Sequence, residues 1–301
     1  MSSDATKADA SRTVTTDVLG ARFAFAIDPD RLNEAGVVWA SAVRKCAEAM
    51  APMIRNARLP ASSANARDAG EDELPAPESV NIIELGTGTG ALGIALASIE
   101  RTRVFVTDLE PVVGLARENA ARNARLKHAT SRVEAGALCW SVEPGSVPDP
   151  GSVFLDTNDK QKTKKQQKHR WHFVAACETL YWGGWDVFAD DTRAPQLATM
   201  VEACAGGAVL VVAFTVRDET REKGFVLNDV GGAFWLRAFD DDVFDDDDDD
   251  ESPSCSPRDA PRDSASDRER ADARARAYVA GASEGDLLVF RGRLKERRVA
   301  T

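Results

Sequence analysis

An α/β fold on one mainly parallel sheet is the architecture this 301-residue sequence predicts, and three observations carry the expectation. Apolar strand-like runs alternate with helical stretches through the middle of the chain, the pattern that lays helices over both faces of a sheet. The run Val80-Asn-Ile-Ile-Glu-Leu-Gly-Thr-Gly-Thr-Gly-Ala91 passes from an apolar strand through three alternating glycines into an apolar helix, a turn suited to holding a ligand. The last two strand-like runs, Phe234–Ala238 and Leu287–Arg293, lack an apolar helix between them, which predicts an antiparallel pair at the end of the sheet.

The elements follow in order. Ala21–Ile27 reads as a first strand and Val37–Val38 as a brief extended piece, ahead of an amphipathic helix from Trp39 or Ala40 to about Asn56. Residues 60–78, rich in Ala, Ser, Asp, Glu and Pro, read as a surface loop. After the glycine-rich segment come a strand Arg103–Asp108, its helix Glu110–Ala124, a third strand Arg132–Ala137 and a fourth, Trp171–Cys177. A helix over 192–205, a fifth strand Ala208–Thr215 and a helix over 219–230 complete the alternation.

Two polar stretches interrupt this plan. Residues 152–169 hold Lys160, Lys162, Lys164, Lys165 and Lys168 with little apolar content, and residues 239–284 hold an acidic run followed by a Ser/Pro/Arg/Asp stretch. Neither has the apolar surface to offset the entropy of ordering, so both are expected as disordered insertions, with Arg268–Arg276 at most a transient helix. The lysine run reads as a solvated loop ahead of a nuclear-import or acidic-partner patch. The resulting organisation is a disordered N-terminus over 1–20 and a single domain over 21–301.

Composition narrows the functional classes. With 43% hydrophobic residues the chain can bury a full core. Of the formal net charge of −11, ten units lie in Asp240–Asp242, Asp245–Asp250 and Glu251. The rest is nearly neutral and offers no broad basic surface to a nucleic-acid backbone. Cys46, Cys139, Cys177, Cys204 and Cys255 form no C-x-x-C pair, and His128, His169 and His172 have no metal-ligand spacing, so neither zinc nor disulfides are expected. The sequence has no long apolar run for a membrane span, and its first residues lack the apolar stretch of a secretory signal. The expected location is the cytoplasm, with the nucleus second.

Gly86, Gly88 and Gly90, with Thr87 inside the turn, leave no Cβ between main chain and ligand. Together with Ala91 they also fit the dinucleotide fingerprint, so the glycines alone do not separate a nicotinamide or flavin cofactor from S-adenosylmethionine. Glu84 favours the second. A carboxylate at the strand end repels a pyrophosphate but attracts the ammonium and sulfonium of S-adenosylmethionine, the alternative being a purely structural strand–turn–helix. Asp108, twenty-two residues after Gly86, ends the next strand where such folds place the carboxylate that accepts ribose hydroxyls. Its alternative role, compatible with the first, is to cap the helix that follows.

The E-x-G-x-G-x-G turn, the strand count and the antiparallel final pair resemble the class I S-adenosylmethionine-dependent methyltransferases. Within them the chain is similar to the lysine methyltransferases of methyltransferase family 16, whose members mostly modify non-histone proteins. Gly36-Val-Val-Trp39-Ala-Ser-Ala resembles that family's tryptophan motif, Glu84–Gly90 its first motif, Leu138-Cys-Trp140 its Leu-x-Trp, and Cys177-Glu-Thr-Leu-Tyr181 its Asp-x-x-Tyr. The chain departs from the pattern at Glu178, where the family carries aspartate, and at Ala40, where it commonly carries proline. The resemblance implies a single seven-stranded Rossmann-like sheet with an antiparallel last strand and helices on both faces. It also implies S-adenosylmethionine as cofactor and a protein lysine as acceptor.

Methyl transfer from a sulfonium is an in-line displacement, so the protein must align a neutral nucleophile and exclude water. A lysine, with an unperturbed pKa of about 10.4, must first lose a proton, which an apolar, aromatic-lined channel favours. Tyr181, Trp182 and Trp185 cluster where such a channel would open, with rim packing the alternative role for the tryptophans. By the resemblance, Glu178 and Tyr181 face the incoming nitrogen and are the candidate catalytic pair. Trp140 and Trp39 flank the cofactor, and Cys177 lies beside it through its backbone with an inert thiol. Other acceptors stay open at this point: a protein histidine or arginine, a small amine, RNA, or none at all in a cofactor-binding scaffold. The identity of the acceptor protein and the oligomeric state are not encoded in any of these motifs.

Overall fold

Strands β3 (Val80–Leu85) and β6 (Phe173–Cys177) are buried at every position. A strand covered on both faces is written as a continuous apolar run, and these two form the centre of a parallel sheet. In the computed structural model, which describes residues 12–57, 79–154, 170–180, 190–239 and 265–295, seven strands pair in the order β5-β4-β3-β6-β7-β9-β8. The others are β4 (Thr102–Asp108), β5 (Arg132–Ala137), β7 (Val209–Thr215), β8 (Phe234–Ala238) and β9 (Leu287–Leu294). β9 runs antiparallel to both neighbours and the other pairings are parallel, which is the expected architecture.

The two faces carry separate cores. On one face α2 (Ala40–Asn56), α3 (Ala91–Leu96) and α4 (Glu110–Arg122) pack over Ile82, Val104, Ala175, Val211 and Ala213. On the other, α6 (Arg193–Cys204), α7 (Arg221–Gly224), the π-helical turns Phe225–Val230 and α8 (Gly231–Ala233) cover Val174, Leu210, Val212 and Phe214. Two short helices, α1 (Pro29–Leu32) and α5 (Pro150–Val153), sit in connections. Among the described residues no helix is long and apolar enough to cross a membrane.

Two expectations are corrected. Residues 12–18, within the segment expected to be disordered, form strand β1 (Arg12–Val18), which pairs antiparallel with β2 (Ala21–Ile27). The hairpin is anchored to α4 by side chains that imitate strand pairing. Asn119, fully buried, accepts from Ala26 N–H at 2.6 Å and donates to Ala26 O at 3.0 Å, and Asn123 repeats the exchange with Ala24 at 3.0 and 2.8 Å. Within 239–284, expected as one disordered insertion, Ala265–Gly281 forms helix α9 and buries Asp272, Ala275 and Val279. Its sequence lacks an apolar stripe because charge holds it in place. Asp272 Oδ1 accepts the edge N–H of Leu236 at 2.7 Å, Arg276 pairs with Asp272 Oδ2 at 2.7 Å, and Arg276 also donates to the carbonyls of Leu227 and Gly231. Residues 155–169, most of the first expected insertion, lie outside the described residues, as does Tyr181.

Candidate active site

The chain reverses direction across the sheet at β3, which continues into β4 on one side and meets β6 on the other. A crevice opens beyond the carboxyl ends of strands at such a switch point. Here it is a cleft of about 540 Å³, within the usual range for small-molecule sites. Its walls include Trp39, Glu84, Gly86, Thr87, Gly88, Asp108, Trp140, Cys177 and Glu178. Gly90 is not on the wall. With φ 81° it forms the left-handed entry to α3, where its missing Cβ gives room to Ile94 and Ala116.

The turn after β3 is held from inside the sheet. Thr107 Oγ1 donates to Glu84 O at 2.6 Å, and Thr87 N–H donates to Thr107 O at 2.9 Å. Gly86 (φ 67°) and Gly88 (φ 55°) are required by conformation and by space. A Cβ on Gly86 would lie 2.7 Å from Thr179 Cγ2 and 3.2 Å from Trp140 Cζ2, and one on Gly88 would lie 2.8 Å from Ala35 O.

Two carboxylates set the electrostatics. Glu84, 2% exposed, accepts at Oε2 from Thr87 Oγ1 at 2.7 Å and Gly93 N–H at 2.9 Å. Burial nevertheless raises its pKa to about 7, those two hydrogen bonds opposing the rise and Asp108 adding to it. Asp108 accepts from Gly88 N–H at 2.7 Å and Leu109 N–H at 2.8 Å, and burial raises its pKa too. Such a site favours a cationic ligand that brings hydroxyl donors and disfavours a pyrophosphate. S-adenosylmethionine fits on these grounds: Glu84 would balance its positive end, Asp108 would accept from its ribose, and the bare backbone at Gly86 and Gly88 would let it approach. Cys177 contributes no chemistry of its own, because the Cys46 thiol beside it and burial push its thiol far up.

At the end of β6, Glu178 adopts φ 56°, a left-handed conformation uncommon for a residue with a side chain and often found at functional sites. Its carboxylate is 2% exposed and engaged on both oxygens. Thr215 donates to Oε1 from its N–H at 3.1 Å and its hydroxyl at 2.7 Å, and Arg217 pairs with Oε2 at 2.6 Å. The Arg217 guanidinium also stands 4.7 Å over the Trp39 ring. Arg217, which no sequence motif singled out, therefore joins the Glu178 end of the cleft to the tryptophan of the segment before α2.

Other walls escaped the sequence reading as well. Residues Arg31–Ala35 line one side, and the Asp28–Gly36 loop that presents them is closed by Asp28 N–H donating to Gly36 O at 3.0 Å. A Cβ on Gly36 would fall 2.2 Å from Asp28 O, so only glycine closes it. Opposite, α6 fixes the Trp140 loop: Thr199 Oγ1 accepts from Ser141 N–H at 3.1 Å, and Glu202 accepts from Gly145 N–H at 2.7 Å and Ser146 Oγ at 2.9 Å. The Asn119 and Asn123 amides that hold the β1–β2 hairpin, and so the wall after it, carried no signal beyond their i, i+4 spacing on a helix.

Residues 27–150 match the family model described as lysine methyltransferase. The matched stretch holds the glycine turn, Glu84 and Asp108, and the sheet around it has the seven strands and the antiparallel final pair that the sequence predicts. This stretch is similar to the core of the class I methyltransferases. Among curated proteins it is similar to a release factor glutamine methyltransferase of Deinococcus radiodurans, 33% identical over 100 residues that make up 33% of this chain and 35% of that protein. It is also similar to a ribosomal protein L11 methyltransferase of Brucella suis, 33% identical over 67 residues, 22% of this chain and 24% of that protein. The matches thus span about a third and a quarter of those relatives. A solved structure of a TehB-like methyltransferase from Corynebacterium glutamicum resembles it with a TM-score of 0.36 and 16% identity, covering 73% of this chain and 83% of that one.

Proposed function

We propose that this protein is an S-adenosylmethionine-dependent methyltransferase whose acceptor is a lysine side chain of a protein. The observation that carries the reading is the cleft itself, with Glu84, the glycine turn and Asp108 at one end, all inside the stretch that matches a lysine methyltransferase model, and the Glu178–Arg217 pair at the other. The donor supplies an electrophilic methyl group on a sulfonium when bound. Asp108 holds the ribose, Glu84 offsets the positive charge, and Trp140 and Leu138 line the side of the cleft beyond β5, where the base would be enclosed.

At the acceptor end the chain's task is to receive an amine without its proton. Glu178 is poorly placed for a direct grip on an ammonium, because its side chain is 2% exposed and both oxygens are already engaged by Thr215 and Arg217. Its role in this proposal is to fix Arg217 on the cleft wall, and a fixed cation there lowers the pKa of a nearby amine. Tyr181, three residues beyond Glu178, stays in the proposal as the aromatic that orients the incoming nitrogen. A glutamine amide, never protonated at neutral pH, is the second reading, favoured by the same occupied carboxylate and by the name of the Deinococcus relative.

The test is transfer of label from methyl-labelled S-adenosylmethionine to protein in a cell extract, followed by exhaustive proteolysis and chromatography of the labelled amino acid. Methylated lysine is expected. Label on glutamine would move the assignment to the second reading, and label confined to nucleic acid or small molecules would end both.

A further inference from the structure

On the face of the sheet where α2 packs, the outermost strands present cations and aromatics in place of core. The β8–β9 register pairs Trp235 with Arg293 and Arg237 with Arg291, and residues directly opposite in an antiparallel pair project to the same side. Lys295 stands 4.6 Å over the Trp235 ring, and the Arg291 guanidinium stands 5.6 Å over Phe239. On the adjoining α2, Met53 Sδ meets Arg291 Nη1 at 3.6 Å, and Lys45 reaches the strand to donate to Leu287 O at 3.2 Å. β8 and β9 together contain three arginines and no acidic residue. This is a concentrated basic face on a chain of formal net charge −11.

The chain's densest negative charge starts beside it. Asp240 directly follows Phe239, and Asp240–Asp242, Asp245–Asp250 and Glu251 are ten acids within twelve residues. We propose that the basic β8–β9 face is the docking surface of this acidic run, residues 240–251 of the same chain. The charges are complementary, and the tether is one residue long, which raises the local concentration of the run to the millimolar range or above. Reach is ample: twelve residues extend up to about 40 Å, whereas returning along β8 from Phe239 to Trp235 takes about 13 Å. Residues 252–264 then remain for the return to α9, which packs on the opposite face of β8. The acidic run competes for this face with other anions such as nucleic acid. Cations on an edge strand also deter pairing with other strands, and that role alone needs no acidic occupant.

Carbodiimide, which couples carboxylates to amines without a spacer, distinguishes the two on the full-length wild-type chain. Peptide mass spectrometry should find Lys295 and Lys45 joined to residues 240–251 within one molecule at about 0.05 M salt, with most of the coupling lost at about 1 M. Heparin serves as the competing polyanion. A variant with Asp240–Asp242 and Asp245–Asp250 changed to Asn and Glu251 to Gln should bind it at least about tenfold more tightly than wild type. That gain should disappear when Arg237→Gln, Arg291→Gln and Arg293→Gln are added. The proposal is overturned by absence of the low-salt links, by links between molecules, by equal heparin binding of wild type and neutralised variant, or by a gain that survives loss of the arginines.

Discussion

Buried Glu84 and half-buried His172 are titratable groups whose effects on stability run in opposite directions. Burial raises the Glu84 pKa from 4.5 to about 7, so between those values the folded chain holds the proton more tightly than the unfolded one, and stability falls as pH rises. Burial, aided by Arg170, lowers the His172 pKa from 6.5 to about 4, while its Nδ1 accepts from Asn81 N–H at 2.8 Å. Across that window the unfolded chain binds the proton more readily, and stability rises with pH. The two slopes, each up to about 1.4 kcal/mol per pH unit, largely cancel in the wild type. Denaturant melts at pH 5 and pH 7 should therefore show Glu84→Gln gaining relative stability toward pH 7 and His172→Gln losing it. Identical pH dependence in all three proteins would remove this account of the two groups.

The Glu178–Arg217 pair makes a second prediction at this scale. With the carboxylate 2% and the guanidinium 22% exposed, Arg217→Met leaves a buried charge answered only by Thr215 and should cost about 2–4 kcal/mol of stability. Glu178→Asp, which supplies the family's usual residue, should keep the pair and most of the stability. In transfer assays Arg217→Gln should move the rise of activity with pH to higher pH, because the cation that helps strip the acceptor's proton is gone. An unmoved profile with reduced activity would reduce Arg217 to a structural role. The sequence pointed to Glu178 through a motif position, but not to its partners: Thr215 and Arg217 are 37 and 39 residues away and meet it only because β6 and β7 are neighbours.

Among the elements, legibility followed the source of stability. β3, β6 and β7 are covered on both faces, so burial wrote them as apolar runs that can be read directly. β1, Arg-Thr-Val-Thr-Thr-Asp-Val, is polar because most of it faces solvent, and its pairing is fixed at a distance through β2 and the α4 asparagines. In the sequence α9 reads as part of an insertion because Asp272 and Arg276 make polar contacts where an apolar stripe would be expected. Asp272→Ala should leave Leu236 N–H and Arg276 without that carboxylate and lower stability by about 2–3 kcal/mol, read from a thermal melt. Deleting 265–281 would also remove the buried Ala275 and Val279 and uncover the β8 residues beneath them, with a still larger loss. A melting temperature unchanged by Asp272→Ala would mean that α9 adds little to the fold.

For the molecule as a whole, function rests on the cleft beyond β3, β4 and β6 as the S-adenosylmethionine site. Its donor end was legible because glycines, Glu84 and Asp108 lie within one strand–turn–helix–strand stretch, while the walls from Arg31–Ala35 and the Trp140 loop assemble only through tertiary contacts. The most direct measurement is a calorimetric titration of the purified chain with S-adenosylmethionine at pH 8, where Glu84 is ionised, alongside a nicotinamide dinucleotide and an Asp108→Ala variant. One-site binding of S-adenosylmethionine is expected, with no heat from the dinucleotide and a loss of about 1.5–3 kcal/mol of binding free energy in a folded Asp108→Ala. A folded wild-type chain that takes the dinucleotide and not S-adenosylmethionine, or an Asp108→Ala variant with undiminished affinity, would contradict that assignment.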